Sequence, residues 1–186
     1  MRKWQFKSVI RKVKTDMRHL FIFSLTLLTS LFCFSQKQLT VGQKVTGDFN
    51  GDAKTDTAFL RLASNQKSKA QNWMLYFSDK NIPAMQLGCC NVILISEGDL
   101  NGDKSTEISV FQAPENGCVY TWTTYSLKNN RWTKLIQPFL IATDCEIFKP
   151  ADLQNRVFKE KDKVYYWDVD PNDKNNKLIK KQVIIR

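Results

Sequence analysis

The feature that most constrains this 186-residue chain is a ten-residue segment that occurs twice. Residues 47–56 read Gly-Asp-Phe-Asn-Gly-Asp-Ala-Lys-Thr-Asp, and residues 98–107 read Gly-Asp-Leu-Asn-Gly-Asp-Lys-Ser-Thr-Glu. The copies lie 51 residues apart. A repeat of that length is the signature of one supersecondary unit used more than once. Each copy runs directly into β-branched and aromatic residues, 57–62 and 108–111, which read as strands. The chain is therefore expected to be built from loop-and-strand units.

The loop itself has a chemistry. Calcium is a hard cation that takes about six to eight oxygens at roughly 2.3–2.6 Å. Alternate residues of a tight loop point inward. Counting from the first aspartate, positions 1, 3 and 5 are Asp48, Asn50 and Asp52, or Asp99, Asn101 and Asp103. Position 7 offers a backbone carbonyl, from Lys54 or Ser105, and position 9 is acidic in both copies, Asp56 or Glu107. Each loop thus concentrates three formal negative charges. Without a cation that clustering is repulsive. The plain alternative is a pair of turns with no ion, because Asn-Gly is a strong turn signal by itself.

An EF-hand loop would carry an acidic ligand at position 12 and continue into a helix. Here position 12 is Phe59 or Val110, within a strand-like run. A loop of this pattern that feeds a strand resembles the FG-GAP and VCBS-type repeats, as in the propellers of integrin α-subunits. The resemblance covers residues 47–112 and weakens beyond them. It implies calcium held between two strands of a blade by the ten residues named above. It also implies a departure: the family usually has glycine at position 6, where φ is positive, and this chain has Ala53 and Lys104. A non-glycine residue in that conformation costs about 1 kcal/mol or more, so weaker sites than the family's are expected.

Residues 20–34 carry no charge and follow a basic stretch. Fifteen apolar-rich residues suit the h-region of a secretory signal, whereas a membrane-spanning helix needs about 20. Residues 1–35 are read as a signal peptide cleaved after Ser35, and residues 36–186 as one β domain, exported to the periplasm or outside the cell. An uncleaved membrane anchor is the alternative. Cys33 lies where a lipoprotein signal would end, but the bulky Phe32 before it argues against lipidation. Met17-Arg18-His19 would itself open a leader of ordinary length, so either Met1 or Met17 can be the start. The net charge is +10, but the leader holds +6 of it. No basic stripe remains for nucleic acid.

Export favours disulfides among the four remaining cysteines, Cys89, Cys90, Cys118 and Cys145. Four cysteines allow three pairings. Neighbouring cysteines rarely bond each other, and in an extended segment Cys89 and Cys90 point to opposite faces. Each is expected to reach Cys118 or Cys145. Zinc spacing is absent.

Further strands are expected at residues 73–77, 91–96, 119–127, 132–136, 164–169 and 178–185, with a hairpin turn at 128–131 and a single helical turn at most within 153–158. In residues 119–127, Tyr120, Trp122, Thr124 and Ser126 share one face; Val119, Thr121, Thr123, Tyr125 and Leu127 share the other. Residues 168–173 look like a third acidic loop, but Pro171 breaks the pattern and a polar turn is expected. The 151 residues after the leader hold about three units of 51. A propeller closes with four to eight blades. The expected fold is all-β, propeller-like antiparallel sheets from about three units, too short for a full propeller.

The only histidine, His19, lies in the leader. That removes histidine-based nucleophilic catalysis from the domain, and no enzyme is expected. A calcium-stabilised exported module recognising a protein or glycan is the first reading. The second is an inhibitor or immunity protein whose partner is a cell-wall, lysozyme-like peptidoglycan hydrolase, entered by a loop such as 65–72 or 113–118. A glycoside-acting enzyme is the third and would need an exposed acid pair beside a tryptophan.

Overall fold

The computed structural model describes residues 40–63, 72–143, 145, 148–170, 172–174, 177–183 and 185. The chain divides into two units, Met1–Lys37 and Gln38–Arg186. The leader and nearly all of the 65–72 loop lie outside the described residues. Among the described residues no helix is long and apolar enough to cross a membrane.

The described part of the second unit is almost entirely β, in three antiparallel sheets with no closed barrel. The first sheet runs in chain order through β2 (Lys44–Gly47), β3 (Asp56–Leu62), β4 (Asn72–Phe77) and β5 (Met85–Cys89). The second runs through β6 (Val92–Gly98), β7 (Glu107–Gln112), β8 (Val119–Lys128) and β9 (Arg131–Ala142). The short β1 (Val41–Gly42) adds to the free edge of β6. The third sheet holds β10 (Val157–Glu160), β11 (Lys163–Val169) and β12 (Leu178–Gln182). A single helical turn, α1 (Pro150–Leu153), leads into it.

Side-chain alternation explains the layering. Successive strand residues face opposite ways, so Val92 and Leu94 of β6 join one core while Ile95 joins another. The first core lies between the first and second sheets, where Val45, Ala58, Leu75 and Phe77 meet Leu94, Ile108 and Val110. The second lies between the second and third, where Phe111, Trp122, Phe139 and Ile141 meet Leu153, Val157 and Val164. The two faces of β8 divide as the sequence suggests: Trp122 and Tyr120 serve the second core, Tyr125 and Leu127 the first. Each large apolar side chain buried here contributes about 1.5–3 kcal/mol.

The expected strands are present, some longer than expected, and β12, expected over 178–185, ends at Gln182. β9 continues past residue 136 to Ala142 through Pro138. It is an edge strand, where proline's missing N–H leaves no ladder bond unmade. Asn129 and Asn130 both have positive φ, 51° and 59°, as a two-residue hairpin turn of matching twist requires. β1, β2, β5 and β10 were not expected; Gln86 and Gly88 interrupt the pattern in β5, and Lys159 and Glu160 in β10. The helical turn sits at Pro150–Leu153 rather than within 153–158, because Pro150 pre-sets the first helical φ and Asp152 Oδ2 accepts the Lys149 N–H at 3.0 Å. Of the expected polar turn, Asp168 and Val169 close β11, and beyond it Asp170 Oδ1 accepts the Asn172 N–H at 2.9 Å; residue 171 lies outside the described residues.

The expected cysteine pairing is corrected. Cys89 bonds Cys90, and Cys118 bonds Cys145. The opposite-face argument fails because Cys90 is not extended: its φ is 79°, which ends β5 and turns its side chain back toward Cys89. Trp73 Nε1 donates to the Cys90 carbonyl at 2.7 Å and Gln112 Nε2 to the Cys89 carbonyl at 3.0 Å, which holds this corner. Cys118 and Cys145, with Cα atoms 4.8 Å apart, are brought together where Thr143 N–H and hydroxyl both donate to the Cys118 carbonyl. The second bond closes a long loop and constrains the unfolded chain; the first closes almost none. Replacing Cys118 and Cys145 together by serine is expected to cost roughly 3 kcal/mol, read from the denaturant midpoint. The same change at Cys89 and Cys90 should cost far less.

Candidate metal loops

The two acidic loops occupy the same place in successive sheets. Residues 48–55 join β2 to β3, and residues 99–106 join β6 to β7. The third sheet has only the tight Lys161-Asp162 turn at this place, between β10 and β11.

In the first loop the side chains at positions 1, 3 and 5 do turn inward. Asp48 Oδ1 accepts the N–H groups of Gly51 and Asp52 at 2.8 and 3.1 Å, and Oδ2 accepts that of Ala53 at 2.8 Å. Asn50 Oδ1 accepts the Asp52 N–H at 3.1 Å, and Asp52 Oδ1 the Lys54 N–H at 2.9 Å. The second loop repeats this. Asp99 accepts Gly102 and Lys104 N–H at 2.6 and 3.1 Å, Asn101 accepts Asp103 N–H at 2.8 Å, and Asp103 accepts Ser105 N–H at 2.8 Å. Glycine at position 4 has φ of 74° and 85°; position 6 is also left-handed, with 64° at Ala53 and 73° at Lys104. The strain expected at position 6 is therefore in place.

The ninth positions differ. Asp56 is 5% exposed, and its Oδ2 is enclosed with no hydrogen-bond partner. Burial raises its pKa above the usual aspartate value, against the Phe49 N–H bond, and nearby Asp52 and Asp79 add to the rise. Glu107 is fully buried, and both of its oxygens are engaged: Oε2 accepts Leu100 N–H at 2.7 Å and Oε1 accepts Asn101 Nδ2 at 3.0 Å. The same Asn101 nitrogen reaches Asp103 Oδ2 at 2.9 Å and Ser126 Oγ at 3.1 Å. An amide donor thus stands where the carboxylates of this loop approach one another. At the rim of the first loop, the Lys54 ammonium lies 3.0 Å from Asp52 Oδ2 and lowers that carboxyl's pKa. Among the described residues, no group of three or more His, Cys, Asp or Glu side chains converges closely enough to hold a metal.

Three residues escaped the sequence reading. Asp79, in the β4–β5 connection, accepts Asn50 Nδ2 at 3.1 Å and adds a fourth acid to the first loop. Nothing in its spacing marks it. Ser126 plays the corresponding part at the second loop. Glu97 is the unpaired residue of a bulge between Ser96 and Gly98 in β6, and bulges re-aim side chains. Its carboxyl is enclosed, bonded to Ser109, with Oε1 unpartnered. Burial, with a smaller contribution from the neighbouring Glu107, pushes it up to about 8 against the Ser109 hydrogen bond. Glu107 itself is pushed up to about 7, again mainly by burial. A lone glutamate at the end of an apolar run was the available signal.

The loops also touch each other. The Thr106 N–H donates to the Asp48 carbonyl at 2.6 Å, and the Asp48 N–H donates to Thr106 Oγ1 at 3.1 Å. A Cβ on Gly47 would stand 2.6 Å from Thr106 Cγ2, so only glycine fits there.

Comparison with known proteins yields no matching family model, no matching curated protein and no matching solved structure.

Two outcomes follow from this geometry. Ala53→Gly and Lys104→Gly should each raise stability by up to about 1 kcal/mol, because glycine accepts the left-handed φ, and a urea melt reads the gain. The buried glutamates give the pH dependence. Their folded pKa values exceed the unfolded value, so their stabilising contribution is complete below about pH 4.5 and is lost as pH rises through about 7 to 8. In a chelating buffer the melting temperature should fall across that window, and Glu97→Gln should flatten the fall.

Proposed function

We propose that the chain is an exported calcium-binding β module, in which the ion is structural and a surface recognises a protein or glycan. The observation that carries this reading is the buried, partnerless Oδ2 of Asp56. A buried carboxylate oxygen left without a donor costs roughly 1–3 kcal/mol or more unless a cation meets it. The donor set suits a hard cation: Asp48, Asn50, Asp52, the Lys54 carbonyl and Asp56 would hold one ion, and Asp99, Asn101, Asp103, the Ser105 carbonyl and Glu107 the other. Carboxylate oxygens that already accept one N–H retain a lone pair for a metal. Bound calcium supplies positive charge that offsets the repulsion within each loop and ties together the strands the loop joins.

The position of each loop between two antiparallel strands and the left-handed sixth residue support the likeness to FG-GAP and VCBS-type repeats. The inhibitor reading has one observation in its favour. Residues 113–118 form an outward connection whose Glu115, Asn116 and Gly117 are exposed and whose end is braced by the Cys118–Cys145 bond.

The test is thermal melting of the oxidised chain in EDTA, in millimolar calcium and in magnesium. Sites of extracellular modules bind calcium with Kd of about 10⁻⁴–10⁻³ M. Calcium at ten times Kd should stabilise by about 1.4 kcal/mol per site. Asp48→Ala or Asp99→Ala should each remove one site's share. Asp56→Asn should be neutral or stabilising in EDTA, because it removes a buried charge with one oxygen unmet, yet lose the first site's calcium response. An identical melting temperature in all three buffers would reduce both loops to ordinary turns.

A further inference from the structure

The second and third sheets do not close completely on each other. Between them lies a cavity of about 660 Å³, within the range of small-molecule sites. One wall is the second acidic loop, through Asn101, Gly102 and Asp103; another is the β8–β9 hairpin; the third is β12 and the chain just after it. Its character is mixed. Amides and hydroxyls from Asn101, Ser126, Thr133, Gln137 and Gln182 line it beside the apolar Ile136 and Val183. Tyr166 also lines it and is held in place by Phe139, with ring centroids 4.4 Å apart.

The charges are asymmetric. Asp103 is the one acid of the lining, and its two oxygens are taken by the Ser105 N–H and by Asn101. Lys128 and Lys134 also line the cavity, and among the described residues neither has an ion-pair partner. Outside the lining, the Lys159 ammonium donates to the Asp99 carbonyl of the same loop at 3.4 Å. The cavity therefore offers free positive charge, many neutral hydrogen-bonding groups and a partly apolar floor. That combination suits a ligand with several hydroxyls and at least one anionic group.

We propose that this cavity is the recognition site of the module and that its occupant is a carboxylated saccharide. Lys128 and Lys134 take the carboxylate, the amides and hydroxyls take the sugar hydroxyls, and the apolar floor takes the ring faces. The inference deepens the binding-module reading. It rests on calcium only for the second loop: the wall at Asn101 and Asp103 is ordered, and its acidity offset, when that loop holds its ion.

The experiment is calorimetric titration of the full chain in calcium and in EDTA. The probes are saccharides carrying a uronate, a sialate or a muramate carboxyl, each beside its methyl ester. The expected result is that at least one acid binds, its ester binds at least tenfold more weakly, and Lys128→Ala with Lys134→Ala weakens the acid at least tenfold. Both lysines are exposed, so the melting temperature should not change. An acid and ester that bind alike, binding that survives the double substitution, or no binding by any acid would each overturn the proposal. The calcium arm separates the two readings. Acid binding that is equal in EDTA, with no calcium effect on melting, keeps the cavity and sinks the calcium loops. A calcium effect on melting with no acid bound does the reverse.

Discussion

The second sheet has no solvent face in its middle, and the rest of the molecule follows from that. β7 shows it most directly: Glu107 to Phe111 are all buried. A strand covered on both sides must place apolar groups on both, and Ile108 and Val110 pack one way while Phe111 packs the other. The polar residues among them must then find partners inside. Ser109 bonds Thr124 at 2.7 Å and takes the Trp122 indole N–H at 3.1 Å. Each flanking sheet packs its core against this central one.

The same double burial shapes the chemistry at the loops. The first residues of β3 and β7, Asp56 and Glu107, are acids carried into the edges of these cores. In the second loop a network of Leu100 N–H, Asn101 and Ser126 meets the buried carboxyl. In the first, one oxygen is left without a donor. The contrast is between a carboxyl whose two oxygens are both met from within its loop and one with an oxygen left unmet. Contact between Asp48 and Thr106 links the two loops.

The all-β class was legible because the strand signals are local. The alternation of Tyr120, Trp122, Thr124 and Ser126 against Thr121, Thr123 and Tyr125 needs no tertiary knowledge. The loops were legible for a similar reason: Asp48 and Asp99 bond backbone groups only three to five residues away. The left-handed sixth position was implied by the resemblance to calcium-binding β-repeats, and positive φ stands at Ala53 and Lys104. Short or interrupted strands were not legible. β5, with Gln86 and Gly88, exists because β4 pairs with it.

What the chain order determined by itself was the local conformation: strand periodicity, the Asn129-Asn130 hairpin and the two acidic turns, each governed by backbone preference and near-neighbour hydrogen bonds. Only tertiary structure decided which groups lose water and who meets them. The pairing of Cys89 with Cys90 followed from a left-handed residue at a sheet corner held by Trp73 and Gln112. The approach of Asp79 and Ser126 to the loops, the burial of Glu97 and the lysine-lined cavity between sheets join residues far apart in sequence. Burial and long-range charge depend on packing, and no local pattern records them.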